Sequence, residues 1–329
     1  MNGMANILII RLSAIGDVAM TIPVIYSAAE AYPADTFTVL TQAFLLPLFV
    51  NKPPNVRIVS SVSVTHDYDK IIDLHNVISS RIIRILFRLK KTPIFTLDKN
   101  RKARKRLTAP KGKELKPLAS MIDNYTAAFQ KAGFHFALSF TSVFASCPAD
   151  LREIEDTTGT KSGKWIGIAP FAKHGGKIYP PAYMEQIVKE LSKREDTTVF
   201  LFGGRGEEAA TLEQWACRHP RVKNMAGRYP LANELALISR LDLLVSMDSA
   251  NMHFASLTAT RVLSVWGATH PYAGFYGFRQ NPNDAVQLDM PCRPCSAYGN
   301  KPCLRKDRAC MTQLMPETIV EKIQGILEI

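Results

Sequence analysis

Short, continuously apolar runs alternate along this chain with stretches whose apolar residues recur at helical spacing. That is the pattern of a parallel sheet with crossover helices. Residues 5–10 read as a strand, followed by the turn Ser13-Ala14-Ile15-Gly16-Asp17. A helix carrying Ile22, Ile25, Tyr26 and Ala29 comes next, with Pro23 in its first turns, where a missing N–H costs little. Residues 37–41, 56–60, 70–74 and 94–97 read as further strands, and 77–89 and 118–132 as helices.

The polar, charge-mixed segment 148–164 reads as a linker, after which the pattern restarts. Strands are predicted at 165–169, 198–202, 241–246 and 261–266. Helices are predicted at 181–192, 207–217, 231–239, 249–257 and 316–327. A length of 329 residues is about twice a typical domain. The predicted architecture is α/β: two doubly wound domains, 1–155 and 156–315, facing each other across a cleft. A closing helix in 316–329 is free to pack back on the first domain. Ligands are expected at the carboxyl ends of the strands, and no fixed-period repeat suggests a solenoid.

No apolar run reaches the roughly 18 residues a membrane span needs. The first run, Ile7–Ile10, is cut by Arg11 and Asp17 and lacks the features of a signal peptide. A cytoplasmic protein is expected. The net charge of +12 is concentrated between Lys99 and Lys116, where Arg101, Lys102, Arg104, Lys105, Arg106, Lys111 and Lys113 are opposed only by Glu114. This run reads either as a solvated loop or as a landing site for a polyanion. It has no interleaved aromatic residue for base stacking, so phosphates, on a glycolipid or an anionic leaflet, are expected rather than nucleic acid.

Four strand ends carry candidate chemistry. Asp17 follows Gly16 at the start of a helix, either as a cap or as a carboxylate able to take a proton from a hydroxyl. Asp248-Ser249-Ala250 opens a helix whose free N–H groups suit a diphosphate, with His253 about one turn on. Lys173-His174-Gly175-Gly176-Lys177 offers glycines for close approach and two lysines for phosphate, without the ending of a P-loop. Gly203-Gly204-Arg205-Gly206-Glu207 is a turn whose carboxylate could reach ribose hydroxyls. Asp67-Tyr68-Asp69 precedes a strand and reads as a turn element, not a metal clamp. Cys292-x2-Cys295-x7-Cys303-x6-Cys310 suits either a structural zinc or a set of reduced thiols packing a loop.

Taken in order, these motifs resemble the lipopolysaccharide heptosyltransferases, glycosyltransferase family 9. The likeness is carried by Ser13–Asp17 with Thr21-Ile22-Pro23, Lys177-Ile178-Tyr179-Pro180, Gly203 with Glu207, Asp248-Ser249-Ala250-Asn251-Met252-His253, and the cysteine cluster. It departs where Ser249-Ala250 replaces Thr-Gly, where Ala172-Lys173 replaces a Thr-Thr pair, and where Ser79 replaces a basic residue beyond Asp73.

The resemblance implies a GT-B fold with two Rossmann-like domains and an inverting transfer that needs no catalytic metal. Asp17 would be the general base. Lys173, Lys177, Glu207, Asp248, Ser249, Ala250 and His253 would hold a nucleotide-diphosphate sugar, with ADP-heptose as the expected donor. Ser13, Gly16, Arg81, Arg84, Arg104 and Lys105 are the candidates for a phosphorylated lipid A–core acceptor, met at the inner face of the inner membrane. Competing readings are a non-catalytic protein that binds anionic membrane or nucleic acid, and a nucleotide-sugar epimerase.

Overall fold

The computed structural model describes residues 4–63 and 65–329. The chain divides into two compact units. One runs to Asn100 and resumes at Ala119–Pro148; the other comprises Arg101–Leu118 and Ala149–Ile329. Two stretches expected within a first domain of 1–155 group with the second unit instead: the basic segment Arg101–Leu118 and residues 149–155.

The first unit is a five-stranded parallel sheet, β1 (Asn6–Ile10), β2 (Thr36–Leu40), β3 (Val56–Val59), β4 (Lys70–Asp73) and β5 (Ile94–Thr96), in the order β3-β2-β1-β4-β5. Ile7 to Ile10 are all fully buried. A strand covered on both faces can therefore read as a continuous apolar run. Helices α1 (Ile15–Ala19), α2 (Ile22–Ala31) and α3 (Ile78–Arg88) belong to this unit. The strand order reverses between β1 and β4, and a ligand crevice is expected at their carboxyl ends.

Helix α4 (Arg101–Leu107) lies in the basic segment, and α5 (Met121–Lys131) returns to the first unit. Helix α5 begins with a capping box: Ser120 Oγ accepts from Asp123 N at 3.0 Å, and Ser120 N donates to Asp123 Oδ2 at 3.0 Å.

After the short α6 (Glu155–Thr158), the second unit adds six parallel strands. They are β6 (Lys164–Ala169), β7 (Thr197–Leu201), β8 (Val222–Asn224), β9 (Leu243–Met247), β10 (Val262–Val265) and β11 (Ala285–Val286), ordered β11-β10-β9-β6-β7-β8. Its helices are α7 (Pro181–Ser192), α8 (Glu207–Arg218), α9 (Leu231–Ile238), α10 (Ala250–Leu257), α11 (Ala309–Thr312) and α12 (Pro316–Leu327). Here the order reverses between β6 and β9. The final helix occurs where predicted, but its apolar face of Ile319, Ile323 and Leu327 joins this unit's own core with Ile187 and Leu191 of α7. Among the described residues, no helix is long and apolar enough to cross a membrane.

Candidate functional site

In the first unit, Asp17 sits in α1, just past the carboxyl end of β1. It is not the cap of that helix: the N-cap is Ala14, which makes no side-chain cap bond. The carboxylate instead meets Arg11, Nη2 to Oδ2 at 2.8 Å, and remains partly exposed. Arg11 is buried, donates through Nη1 to Leu74 O at 2.7 Å, and lies over the Tyr125 ring. Asp17 is thus held by a guanidinium that is itself fixed to the end of β4.

Beside it, the fully buried Asp73 closes the turn after β4. Its Oδ1 accepts from the N–H groups of His75 and Asn76, and its Oδ2 from Ser80 Oγ at 2.8 Å. Arg84 Nε pairs with the same Oδ2 at 3.1 Å. Arg84, predicted to serve an acceptor, is therefore already engaged with Asp73, while Arg81 is exposed on α3. Burial, reinforced by the positive charges of Arg11 and Lys99, pulls His75 down to about 4, so its imidazole is neutral at neutral pH. Sequence reasoning missed Arg11, Asp73 and His75. The available signal was charge adjoining the buried apolar runs 7–10 and 71–72.

In the second unit, the loops after β6 and β9 meet at the switch point. Lys177 Nζ reaches Asp248 Oδ2 and Asp248 O, each at 2.9 Å, with Asp248 almost wholly buried. The lysine thus lies directly before α10. At its start Ser249 is extended and makes no side-chain cap bond; its Oγ lies 3.3 Å from Ser246 Oγ. Ala250 is the first helical residue, so the leading N–H groups lack a side-chain cap and suit an anion. His253 is buried within α10. Lys173 is exposed on the same loop as Lys177, and His174 between them is pulled below the usual range by desolvation and by both lysine charges.

The turn after β7 separates two neighbouring glutamates. Glu208 Oε2 accepts from Gly204 N at 2.6 Å and so closes the turn, whereas Glu207 is exposed at the start of α8. Glu234 of α9, also missed in the sequence, is pushed up to about 7 by burial, opposed by Arg205.

Two cations of the basic segment are tied down within the second unit. Arg104 is buried, with Nε directed at Ala273 O, Nη1 at Tyr298 Oη, and its guanidinium over the Phe275 ring at 4.4 Å. These contacts anchor the Arg104 side chain within the second unit. Lys105 stays exposed. Lys113 Nζ donates to Cys292 O at 2.8 Å and Pro294 O at 3.0 Å, tying the segment to the cysteine-rich loop.

That loop brings the four predicted cysteines around one small cavity, also lined by Arg293, Leu304 and Arg305. Burial pushes the Cys295 and Cys310 thiols up. Among the described residues, no three His, Cys, Asp or Glu side chains close on a point where an ion could be held. Asp67, for its part, pairs with Lys90 at 2.7 Å, and Asp69 accepts from Asn6 N, as turn elements do.

The glycosyltransferase family 9 (heptosyltransferase) model matches residues 63–302. Lipooligosaccharide heptosyltransferase 2 of Campylobacter jejuni is 23% identical over 331 residues, covering 95% of this chain and 96% of that one. The structure of Escherichia coli ADP-heptose LPS heptosyltransferase II superposes with a TM-score of 0.71 at 17% identity, over 98% of each chain. Escherichia coli heptosyltransferase WaaC, solved with ADP-2-deoxy-2-fluoro heptose, gives a TM-score of 0.67 at 15% identity, over 97% and 99% of the two chains. The two structures agree with the expected GT-B fold of two parallel-sheet α/β domains.

Proposed function

The chain belongs to glycosyltransferase family 9, and we propose that it transfers heptose from ADP-heptose onto a phosphorylated lipopolysaccharide core acceptor, with inversion and without a catalytic metal. The observation that carries this reading is Lys177 fixed by Asp248 directly before the uncapped start of α10. A lysine and helix N–H groups in that arrangement stabilise the charge that develops on a departing diphosphate. Lys173 adds positive charge, Ser249 and Ala250 lend backbone, and His253 lies within the same helix. Glu207 is free to take the ribose hydroxyls because Glu208 closes the turn.

Asp17 is the proposed general base. Arg11 holds its Oδ2, and the partly exposed carboxylate accepts the proton of the acceptor hydroxyl as that oxygen attacks the anomeric carbon, opposite the leaving ADP. A positioned base contributes about 10²–10⁴-fold. Ser13, Gly16 and Arg81 border the acceptor side, and Lys105 offers a further cation. Such an acceptor is lipid-borne, so the enzyme would work peripherally, at the cytoplasmic face of the inner membrane.

The test is nucleoside diphosphate release from ADP- and UDP-sugars, with and without a lipid A–core acceptor, in EDTA. Acceptor-dependent release from ADP-heptose that collapses in Asp17→Asn supports the reading. Release without acceptor would favour epimerase or hydrolase chemistry instead.

Cys292, Cys295, Cys303 and Cys310 are further proposed as ligands of a structural zinc. The fit rests on all four lining one cavity beside the cations Arg293 and Arg305, whose charge suits an anionic tetrathiolate. The sulfurs would have to draw together around the ion. Metal analysis of protein purified without chelator should find one zinc per chain, lost on Cys295→Ser/Cys303→Ser; its absence from the native protein refutes the assignment.

A further inference from the structure

Helix α3 is amphipathic in the reverse sense for a helix lying on a sheet. Its inward side is narrow: Phe87 and Ser80 are buried, and Ile83 packs partly against the cluster of Leu8, Ile10 and Ile71. Its outward side carries Ile78, Ile82, Ile85 and Leu86, with Leu89 at the C-cap, exposed by 79%, 59%, 51%, 44% and 80%. A solvent-facing helix surface is ordinarily polar, and contiguous exposed apolar residues mark an interaction surface.

The charges beside this stripe identify its partner. At 100° per residue, Arg81 and Arg88 fall along one border of the apolar face, and the helix contains no acidic residue; Lys90, past its end, is paired with Asp67. An apolar stripe about 16 Å long, bordered by cations, is the form of a helix that lies in a bilayer interface. A second copy of the chain fits poorly. A two-fold contact sets the same patch against itself, bringing Arg81 and Arg88 towards their own copies with no carboxylate on the helix to answer them.

We propose that α3 seats this protein on an anionic lipid surface, with Ile78, Ile82, Ile85 and Leu89 entering the headgroup–acyl boundary and Arg81 and Arg88 meeting lipid phosphates. This deepens the proposed function, which gives the enzyme a lipid-borne acceptor. It also moves the membrane contact from the basic segment 99–116, whose Arg104 and Lys113 are bound within the second unit, to a helix of the first.

The test is flotation of the full chain with vesicles of phosphatidylethanolamine and phosphatidylglycerol, and with phosphatidylcholine alone. The variants are Ile82→Gln/Ile85→Gln/Leu89→Gln and, separately, Arg88→Gln. These side chains are exposed, so thermal melting should be unchanged. Native protein should float with the anionic vesicles, less at high salt and little with phosphatidylcholine. The triple variant should lose binding at least tenfold, and Arg88→Gln about fivefold. ADP release with a short, detergent-free acceptor should survive in the triple variant, which separates this proposal from the transferase reading. The proposal is overturned if native protein ignores anionic vesicles or if the triple variant binds them as well as native. It is equally overturned if the triple variant loses turnover on the short acceptor, which would make the face an acceptor site. A native dimer that the triple variant splits, with vesicle binding unchanged, would assign the face to a second copy.

Discussion

Gly299 lies against the stem of Lys177: a Cβ built on the glycine would fall 2.5 Å from Lys177 Cγ, and the glycine has a φ of +74°. Its carbonyl also accepts from Gly176 N at 3.2 Å. From the same stretch, Arg308 Nη2 reaches Gly175 O at 2.6 Å. The cysteine-rich loop is therefore a wall of the loop that carries Lys177. Whatever sets the shape of 292–310 also sets where the Lys177 ammonium stands.

Gly299→Ala should displace Lys177 without unfolding the protein. The added methyl has no room, and its left-handed backbone costs an L-residue roughly 1–2 kcal/mol. The Michaelis constant for the donor should rise about tenfold, read by acceptor-dependent ADP release. Gly175→Ala is the control, because a Cβ there meets nothing within 4 Å. Equal effects from both would mean that the loop tolerates no side chain anywhere and that the Gly299 contact is not specific.

Lys177 and Asp248 should separate by a double-mutant cycle. Lys177→Ala removes the proposed phosphate ligand and also leaves Asp248 as a buried charge without its partner. Turnover should fall about 10²–10³-fold, and stability by about 3–5 kcal/mol. Adding Asp248→Asn should restore much of the stability and none of the turnover. Recovery of turnover in the double variant would show that the lysine only neutralises the aspartate.

The two adjacent glutamates give opposite expectations. Glu207→Ala should raise the donor's Michaelis constant about tenfold and leave the melting temperature alone, since the side chain is exposed. Glu208→Ala should cost about 1 kcal/mol by freeing the Gly204 N–H, with a smaller effect on donor binding. Isothermal titration with ADP and thermal melts read both. The reverse pattern would assign the ribose to Glu208.

The doubly wound sheets were legible because buried parallel strands such as 7–10 and 243–247 are continuous apolar runs ended by turn chemistry. The strand-end residues Asp17, Lys177 and Asp248 followed from the same pattern. What was not legible depended on contacts distant in sequence. The Arg11–Asp17 pair is fixed through Leu74 O, and Arg104 is buried by Ala273, Phe275 and Tyr298, so a charge count saw only a basic loop. Helix α3 was legible as a helix. Which of its apolar residues face outward could not be read, because its buried side is set by packing on Leu8 and Ile10.

His75 predicts an acid limb in stability. Its folded pKa of about 4 lies below the ordinary 6.5, so the unfolded chain takes up the proton first. The stabilisation is complete above pH 6.5 and is lost as pH falls towards 4, by at most about 3 kcal/mol at about 1.4 kcal/mol per unit. His270, also pulled down to about 4 by burial, adds a second contribution of the same sign. Glu234, raised to about 7, acts oppositely: its stabilisation is present below the ordinary 4.5 and fades as pH rises through 7. Between pH 4.5 and 6.5 the two histidines outnumber the one carboxyl, so native stability should still rise with pH. Urea unfolding at half-unit steps should show His75→Gln with a slope lower by about 1.4 kcal/mol per unit near pH 5. An unchanged slope would mean that His75 gains a proton in the folded state as readily as in the unfolded one.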